Sequence, residues 1–159
     1  MRAFLGLSSN GGDRIAHLQR AVRATPDLVA VSPVYETEPV GGAQQGALLS
    51  IVVELDTTLT PRRLLRVCRE LERQALRIRR VGFGPHTLDV DIVWIDAVTI
   101  TEDDLTIPPA RMHERNFVIQ PLLDLAPDLE VAGWDPATAF GEVEALGDLF
   151  ELDLAPVAD

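Results

Sequence analysis

Leu48-Leu49-Ser50-Ile51-Val52-Val53-Glu54-Leu55, then the run from Pro61 to Ile78 (PRRLLRVCRELERQALRI), then Thr87-Leu88-Asp89-Val90-Asp91-Ile92-Val93-Trp94-Ile95, decide the fold. The first stretch is apolar enough to be a central strand. In the second, Leu64, Cys68, Leu71, Ala75 and Ile78 recur at helical spacing behind Pro61, a residue suited to the first turn of a helix, and arginines fill the other faces. Gly82 to Pro85 must break that helix, and Thr87 to Ile95 reads as a further strand.

Working outward toward the N-terminus, residues 2–8 (RAFLGLS) read as a first strand, and the polar turn Ser9 to Asp13 can cap a helix with Ile15, Leu18 and Val22 on one face. Thr25-Pro26-Asp27 ends that helix. Leu28 to Tyr35 is a second strand whose internal Ser32-Pro33 favours an edge or a bulge. Glu36 to Gly46, with Pro39, Gly41 and Gly42, is a loop. Toward the C-terminus, Asp96 to Leu105 predicts a hairpin turn with a short strand around Val98 to Ile100. Asn116 to Leu125 predicts a short helix carrying Pro121 near its start or at a kink.

The order strand, helix, strand, strand, helix, strand is the split βαβ arrangement. It predicts an α+β fold, a ferredoxin-like antiparallel sheet with helices packed on one face and an added C-terminal helical segment. At 159 residues the chain is expected to form one domain over 1–159, with 130–159 as a peripheral extension. Such a fold hosts too many activities to name one.

Composition narrows the choice. Net charge is −11, and no basic stripe with interleaved aromatics is present, so binding to nucleic acid is not expected. No apolar run approaches the roughly 20 residues of a spanning helix, and the N-terminus fits a signal peptide poorly, so the expectation is a cytoplasmic protein away from membranes. Cys68 stands alone, in an apolar helical pattern, as a buried thiol. All 14 basic residues are Arg, and eight lie between Arg62 and Arg80. Positive charge so concentrated on an acidic chain suits an anionic ligand.

The strand 88–92 alternates so that Asp89 and Asp91 share one face, their Cα atoms roughly 6.5–7 Å apart. Magnesium takes one or two carboxylates together with water and phosphate oxygens, which such a pair can offer. By itself an Asp-x-Asp pair more often decorates the wet face of a half-exposed sheet than binds a metal. Asp is disfavoured in strands, however, and Val93 and Ile95 are expected to continue the same face as apolar residues, which sets the acids against a buried surface. Arg73, Arg77, Arg79 and Arg80 precede this strand. They suit either a solvated helix end or a grip on phosphate oxygens. The chain has no Lys and no P-loop pattern, no zinc-ligand spacing among His17, His86 and His113, and no serine-nucleophile elbow.

Several separated segments together resemble the hydroxymethyldihydropterin pyrophosphokinases of folate biosynthesis, over roughly residues 2–130. They are Leu5 to Asn10 with Gly12-Asp13-Arg14, Ser32 to Gly41 (SPVYETEPVG), Gly84 to Ile92 (GPHTLDVDI), and Arg111 to Val118 (RMHERNFV). The resemblance implies transfer of diphosphate from ATP, as co-substrate, to the hydroxymethyl group of a pterin, with AMP leaving. It implies two Mg2+ ions on Asp89 and Asp91. Arg77, Arg79 and Arg80 resemble the basic loop that closes over the phosphates, which would exclude water. Glu72, His86, Ile92, Thr106 and Arg115 would lie at the nucleotide. Phe117 would stack on the pterin, and Thr37, Val40, Gly41, Leu48 and Ser50 would line its site. No protein nucleophile is required, because positioning and charge neutralisation supply most of the catalysis.

The departures from the family pattern fall on ligand positions. Leu48 stands where an aromatic is usual, Ser50 where Asn is usual, His86 and Gly82 where Arg is usual, Pro109 where His is usual, and Ser8 where Gly is usual. Three readings follow: an active pyrophosphokinase, a paralogue that binds magnesium-nucleotide with a changed or lost acceptor, and a ferredoxin-like interaction domain. A monomer whose partners are ATP and a pterin is the expected form.

Overall fold

The computed structural model describes residues 1–37, 47–78, 88–135 and 143–154. β1 (Arg2–Ser9) leads through a polar turn into α1 (Arg14–Ala24). Asp13 caps that helix, its side chain accepting from the Ala16 amide at 3.1 Å, which satisfies one of the free donors of the first turn. β2 (Leu28–Val31) and β3 (Val34–Thr37) follow as two halves of the strand predicted over 28–35. Pro33 has no N–H to give a ladder, and Ser32 spans the break instead. Its amide donates to the Val52 carbonyl and its Oγ accepts from the Val52 amide, both at 2.9 Å.

β4 (Leu48–Asp56), α2 (Pro61–Ile78) and β5 (Asp89–Ile95) realise the stretch that decides the fold. β6 (Ile100–Glu102) and β7 (Leu105–Ile107) form a small hairpin, the first of them shifted two residues along from the predicted strand at Val98 to Ile100 and sharing Ile100 with it. A 3-10 turn at Met112–Glu114 precedes α3 (Asn116–Leu125), and β8 (Val143–Gly147) comes last. The main sheet runs β5-β1-β4-β3-β8, with β2 also paired to β4, and every pairing is antiparallel.

The two helices of the split βαβ order share one face of the sheet, and the later helix takes the other. α1 and α2 cover one face, where Leu18, Val22, Leu64, Cys68 and Leu71 meet Leu5, Leu7, Ile51, Leu55 and Ile92 in a sealed cluster. α3 covers part of the other, where Phe4, Val52 and Val93 meet Met112, Ile119 and Leu122. Phe4 and Val52 are wholly buried. Leaving two such side chains in water would cost about 1.5–3 kcal/mol each, so the second face needs a cover of its own.

The expectation that Val93 and Ile95 share a face is corrected. β1 pairs Phe4 with Trp94 but Leu5 with Ile92, so Val93 is an extra residue in β5. This bulge keeps Val93 on the face of Asp89 and Asp91 and turns Ile95 to the opposite cluster. The sequence reading places no strand beyond residue 130. β8 nevertheless runs along β3 from Val34 to Thr37, and Leu149 just after it is buried in the larger cluster.

Candidate active site

The site is a hollow in the half of the sheet that α3 leaves uncovered. Register sets its floor: Gly6 pairs with Asp91 and with Val52, while Ser8 pairs with Asp89 and with Ser50. Paired residues share a face, so Gly6, Ser8 and Ser50 lie beside the two carboxylates, and their small size leaves room above the strands. A Cβ built on Gly6 would sit 3.1 Å from Val93 Cγ1, so this position is held small by its neighbour.

Two clefts meet here. The larger, about 340 Å³, runs from Asp91, Ile92 and Val93 past Asp104 to Thr106 and Pro109–Ala110, closed by Met112, Arg115 and Val118. The smaller, about 40 Å³, lies over Gly6, Ser8 and Ser50, between Asp91 and the α3 residues Phe117 and Val118. Asp91 and Arg115 belong to both. A carboxylate and a guanidinium thus stand at the junction of a wide cleft and a narrow one.

Electrostatics make that junction a place for a cation. Surrounding protein atoms desolvate the Asp91 carboxyl even though it is open to the cleft, and Asp89 repels it, so its pKa rises above the ordinary carboxylate value despite the pull of Arg115. Glu72 is raised too, by burial first and then by Asp89 and Asp91, against the lowering effect of a hydrogen bond from the Val90 amide at 3.1 Å. That bond occupies a backbone donor of β5, an end strand of the sheet, and ties α2 to the acidic strand. Beneath them burial, followed by the fields of Asp91 and Glu72, pushes the Cys68 thiol up to about 12. This is a buried, inert thiol, as its helical spacing predicts.

Among the described residues no group of three or more His, Cys, Asp or Glu is arranged to hold a metal. A magnesium ion here would therefore take part of its coordination from water and phosphate oxygens, which is its usual habit. Two mutually repelling carboxylates on one strand face fit that ion.

The structure brings together a large part of the predicted set. Asp91, Ile92, Thr106 and Arg115 line the larger cleft, and Ser50 and Phe117 the smaller one. Asp89 precedes them on β5, and Glu72 stands beside the strand. Thr37 and Leu48 pair with each other on the same sheet face as Ser50, outside both cleft linings. Among the described residues, Ser50 Oγ, Thr37 Oγ1 and Asn10 Oδ1 are buried and find no hydrogen-bond partner. A buried hydroxyl without a partner is costly unless a ligand supplies one. Val40, Gly41, Arg79, Arg80 and His86 lie outside the described residues, as does the side chain of Arg77.

Sequence reasoning misses the walls. Leu65, Asp104, Met112 and Val118 line the larger cleft through tertiary placement alone. It misses Arg14 as well, which is buried, donates to the Ala47 carbonyl at 2.6 Å and lies 3.9 Å from Glu36. Arg14 thereby joins the end of β3 to the start of β4. A charged side chain at the first position of a capped helix gave a signal, but one that reads equally as surface.

The fold and the site define a class: a small α+β protein with paired carboxylates and a guanidinium at the meeting of two clefts, chemistry suited to a phosphate-bearing ligand and a divalent cation. The family model described as 7,8-dihydro-6-hydroxymethylpterin-pyrophosphokinase matches residues 4–127, and the chain belongs to that family. It is 38% identical over 151 residues to the 2-amino-4-hydroxy-6-hydroxymethyldihydropteridine pyrophosphokinase of Methylorubrum extorquens, covering 92% of this chain and 96% of that one. The protein of that name from Bacillus subtilis is 38% identical over 133 residues, 80% of each chain. The one from Mycobacterium tuberculosis is 39% identical over 145 residues, 83% of this chain and 77% of its own. This membership supports a pyrophosphokinase over a non-catalytic interaction domain.

Proposed function

We propose that this chain transfers diphosphate from ATP to the hydroxymethyl group of 6-hydroxymethyl-7,8-dihydropterin, releasing AMP, a step of folate biosynthesis. The observation that carries the reading is the sharing of Asp91 and Arg115 by both clefts. A donor in the larger cleft and an acceptor in the smaller one would meet at that pair.

Asp89 and Asp91 would hold two magnesium ions, whose contribution when bound is to neutralise charge on the phosphate oxygens. Arg115 supplies a fixed positive charge at the junction and grips phosphate oxygens. Thr106 and Ile92 line the nucleotide's cleft, and Glu72 fixes the backbone of the acidic strand. Phe117 offers a ring to the pterin, while the hydroxyls of Ser50 and Thr37, unpartnered among the described residues, offer hydrogen bonds to its polar edge. Leu48, Val40 and Gly41 would complete the acceptor site. Arg77, Arg79, Arg80 and His86 would surround the phosphates. Holding both substrates in line supplies the larger part of the rate.

The strand order β5-β1-β4-β3 with α1 and α2 on one face supports the ferredoxin-like reading of the sheet. Among the described residues no helix is long and apolar enough to cross a membrane. A free, buried Cys68 suits a reducing compartment, and we read the chain as a cytoplasmic, single-domain monomer acting on ATP and the pterin without nucleic acid. The test is direct. Purified protein, ATP, magnesium and the hydroxymethyl pterin should yield AMP and pterin diphosphate, and AMP should require the pterin. Nucleotide binding without AMP formation would overturn the proposal.

A further inference from the structure

α3 presents Phe117 to the smaller cleft, yet the helix is weak where it needs to be firm. Pro121 lies inside it, four residues after Phe117. Proline has no N–H, so the helical bond that would close on the Phe117 carbonyl is missing. The geometry of Phe117 against the sheet must then be set by ties outside the helix. Two such ties are present. At the N-terminal end the Trp134 indole donates to Asn116 Oδ1 at 3.0 Å. At the C-terminal end the Tyr35 hydroxyl donates to Asp124 Oδ2.

The second tie joins the two walls of the acceptor cleft. Tyr35 is on β3, paired with Ser50 and two residues before Thr37, on the same sheet face as both. Asp124 is seven residues after Phe117, two helical turns along and on the same side of α3. Burial and then the Asp124 hydrogen bond push the Tyr35 phenol up to about 12, so it remains a protonated donor at physiological pH. On its far side β3 is fixed by β8, whose Ala145 opposes Tyr35. The tyrosine is thus anchored to the sheet by its backbone and to the helix by its hydroxyl.

We infer that Tyr35 and Asp124 are positioning residues for the acceptor, a strut that sets the gap between the Ser50 wall and the Phe117 wall. Neither needs to touch the substrate. This inference rests on the smaller cleft being the acceptor site. A flat heterocycle between two walls is sensitive to their separation, and a displacement near 1 Å from a remote change can cost about 100-fold in rate. Tyr35 and Asp124 line neither cleft, but their partners do: Ser50, paired with Tyr35, and Phe117, on the helix of Asp124, both border the smaller cleft and neither borders the larger.

The experiment compares Tyr35→Phe, Asp124→Ala, Asp124→Asn and the double Tyr35→Phe/Asp124→Ala with the unmodified chain. The readouts are KM for pterin and ATP, kcat, pterin binding followed by fluorescence, nucleotide binding by calorimetry, and circular dichroism. Tyr35→Phe and Asp124→Ala should each raise pterin KM and Kd by about tenfold or more, with nucleotide affinity unchanged. Asp124→Asn keeps an accepting oxygen and should stay near the starting value. The double variant should be no worse than either single, because both remove one bond. Asp124 is exposed, so its variants report even should Tyr35→Phe fold poorly. Unchanged pterin KM in the folded singles, equal losses for pterin and ATP, or additive losses in the double would each overturn the strut. If the unmodified chain turns over while these variants keep their pterin affinity, only the strut fails. If the unmodified chain binds no pterin, the reading of the cleft fails and takes the strut with it.

Discussion

The two faces of the sheet are made by the same strands and behave oppositely. On the face under α1 and α2, β1 contributes Ala3, Leu5 and Leu7, all buried among the leucines and valines of its neighbours. On the other face the same strand contributes Phe4, Gly6 and Ser8, and only Phe4 is sealed under α3. One face is filled by long apolar side chains, and the other ends in a hollow of small residues bordered by carboxylates. Alternation along a strand thus separates what holds the protein together from what gives it chemistry, one residue apart.

The sharpest way to break that division is to alter the acids. Asp89→Ala or Asp91→Ala should lower magnesium-dependent turnover by about 10³-fold or more, the scale seen when a preorganised charge contact is removed. Circular dichroism should show the fold intact, since the carboxylates face a cleft. A loss of folding would show that they belong to the core after all. On the sealed face the expectation reverses. Leu5→Ala should cost about 2–5 kcal/mol in urea denaturation, while the protein that remains folded keeps its kcat.

Gly6→Val tests the border between the regions. Its side chain would enter the smaller cleft and crowd Val93 Cγ1, so a stability loss of about 1–3 kcal/mol should accompany a rise in pterin KM. An unchanged pterin KM would mean that the hollow is not the acceptor site.

The pH dependence is subtler. Asp91 has a folded pKa above its ordinary value of 3.8, so the native chain binds more protons there than the unfolded one. Its contribution to stability therefore falls as pH rises from 3.8 through the folded pKa. Asp91→Asn should remove this penalty and raise Tm at neutral pH by a few degrees at most, while abolishing activity. Added magnesium should raise the Tm of the unmodified chain and leave that of the variant nearly unmoved. The smallest effect is expected at Cys68. Native protein should resist alkylation at pH 8 and react once unfolded, with no dependence of activity on thiol reagents.

Much of the fold was legible because it rests on local periodicity. The spacing of Leu64, Cys68, Leu71 and Ala75 defines the buried side of α2, and Asp13 at the turn defines the start of α1. What escaped is set by contacts across the chain. No composition cue marks Val93 as a bulge, so Ile95 was assigned to the wrong face. α3 carries an apolar side whatever face it meets, and only Phe4, Val52 and Val93 acting together call it to the second one. The site divides in the same way. Asp89, Asp91, Phe117 and Arg115 belong to short motifs that single stretches display. The hollow between them comes from Gly6, Ser8 and Ser50, which become neighbours only when two strands are placed in register.

β8 has a consequence for the order in which the molecule is completed. β3 is made early in synthesis, yet Thr37 finds its outer partner, Val143, only after more than a hundred further residues have been made. Until then β3 presents unpaired amides and carbonyls beside the nascent acceptor wall, an open template for another chain. A chain cut before residue 143 should therefore form multimers on refolding where the full chain does not. Among the described residues, the strand furthest along the chain guards this edge of the sheet.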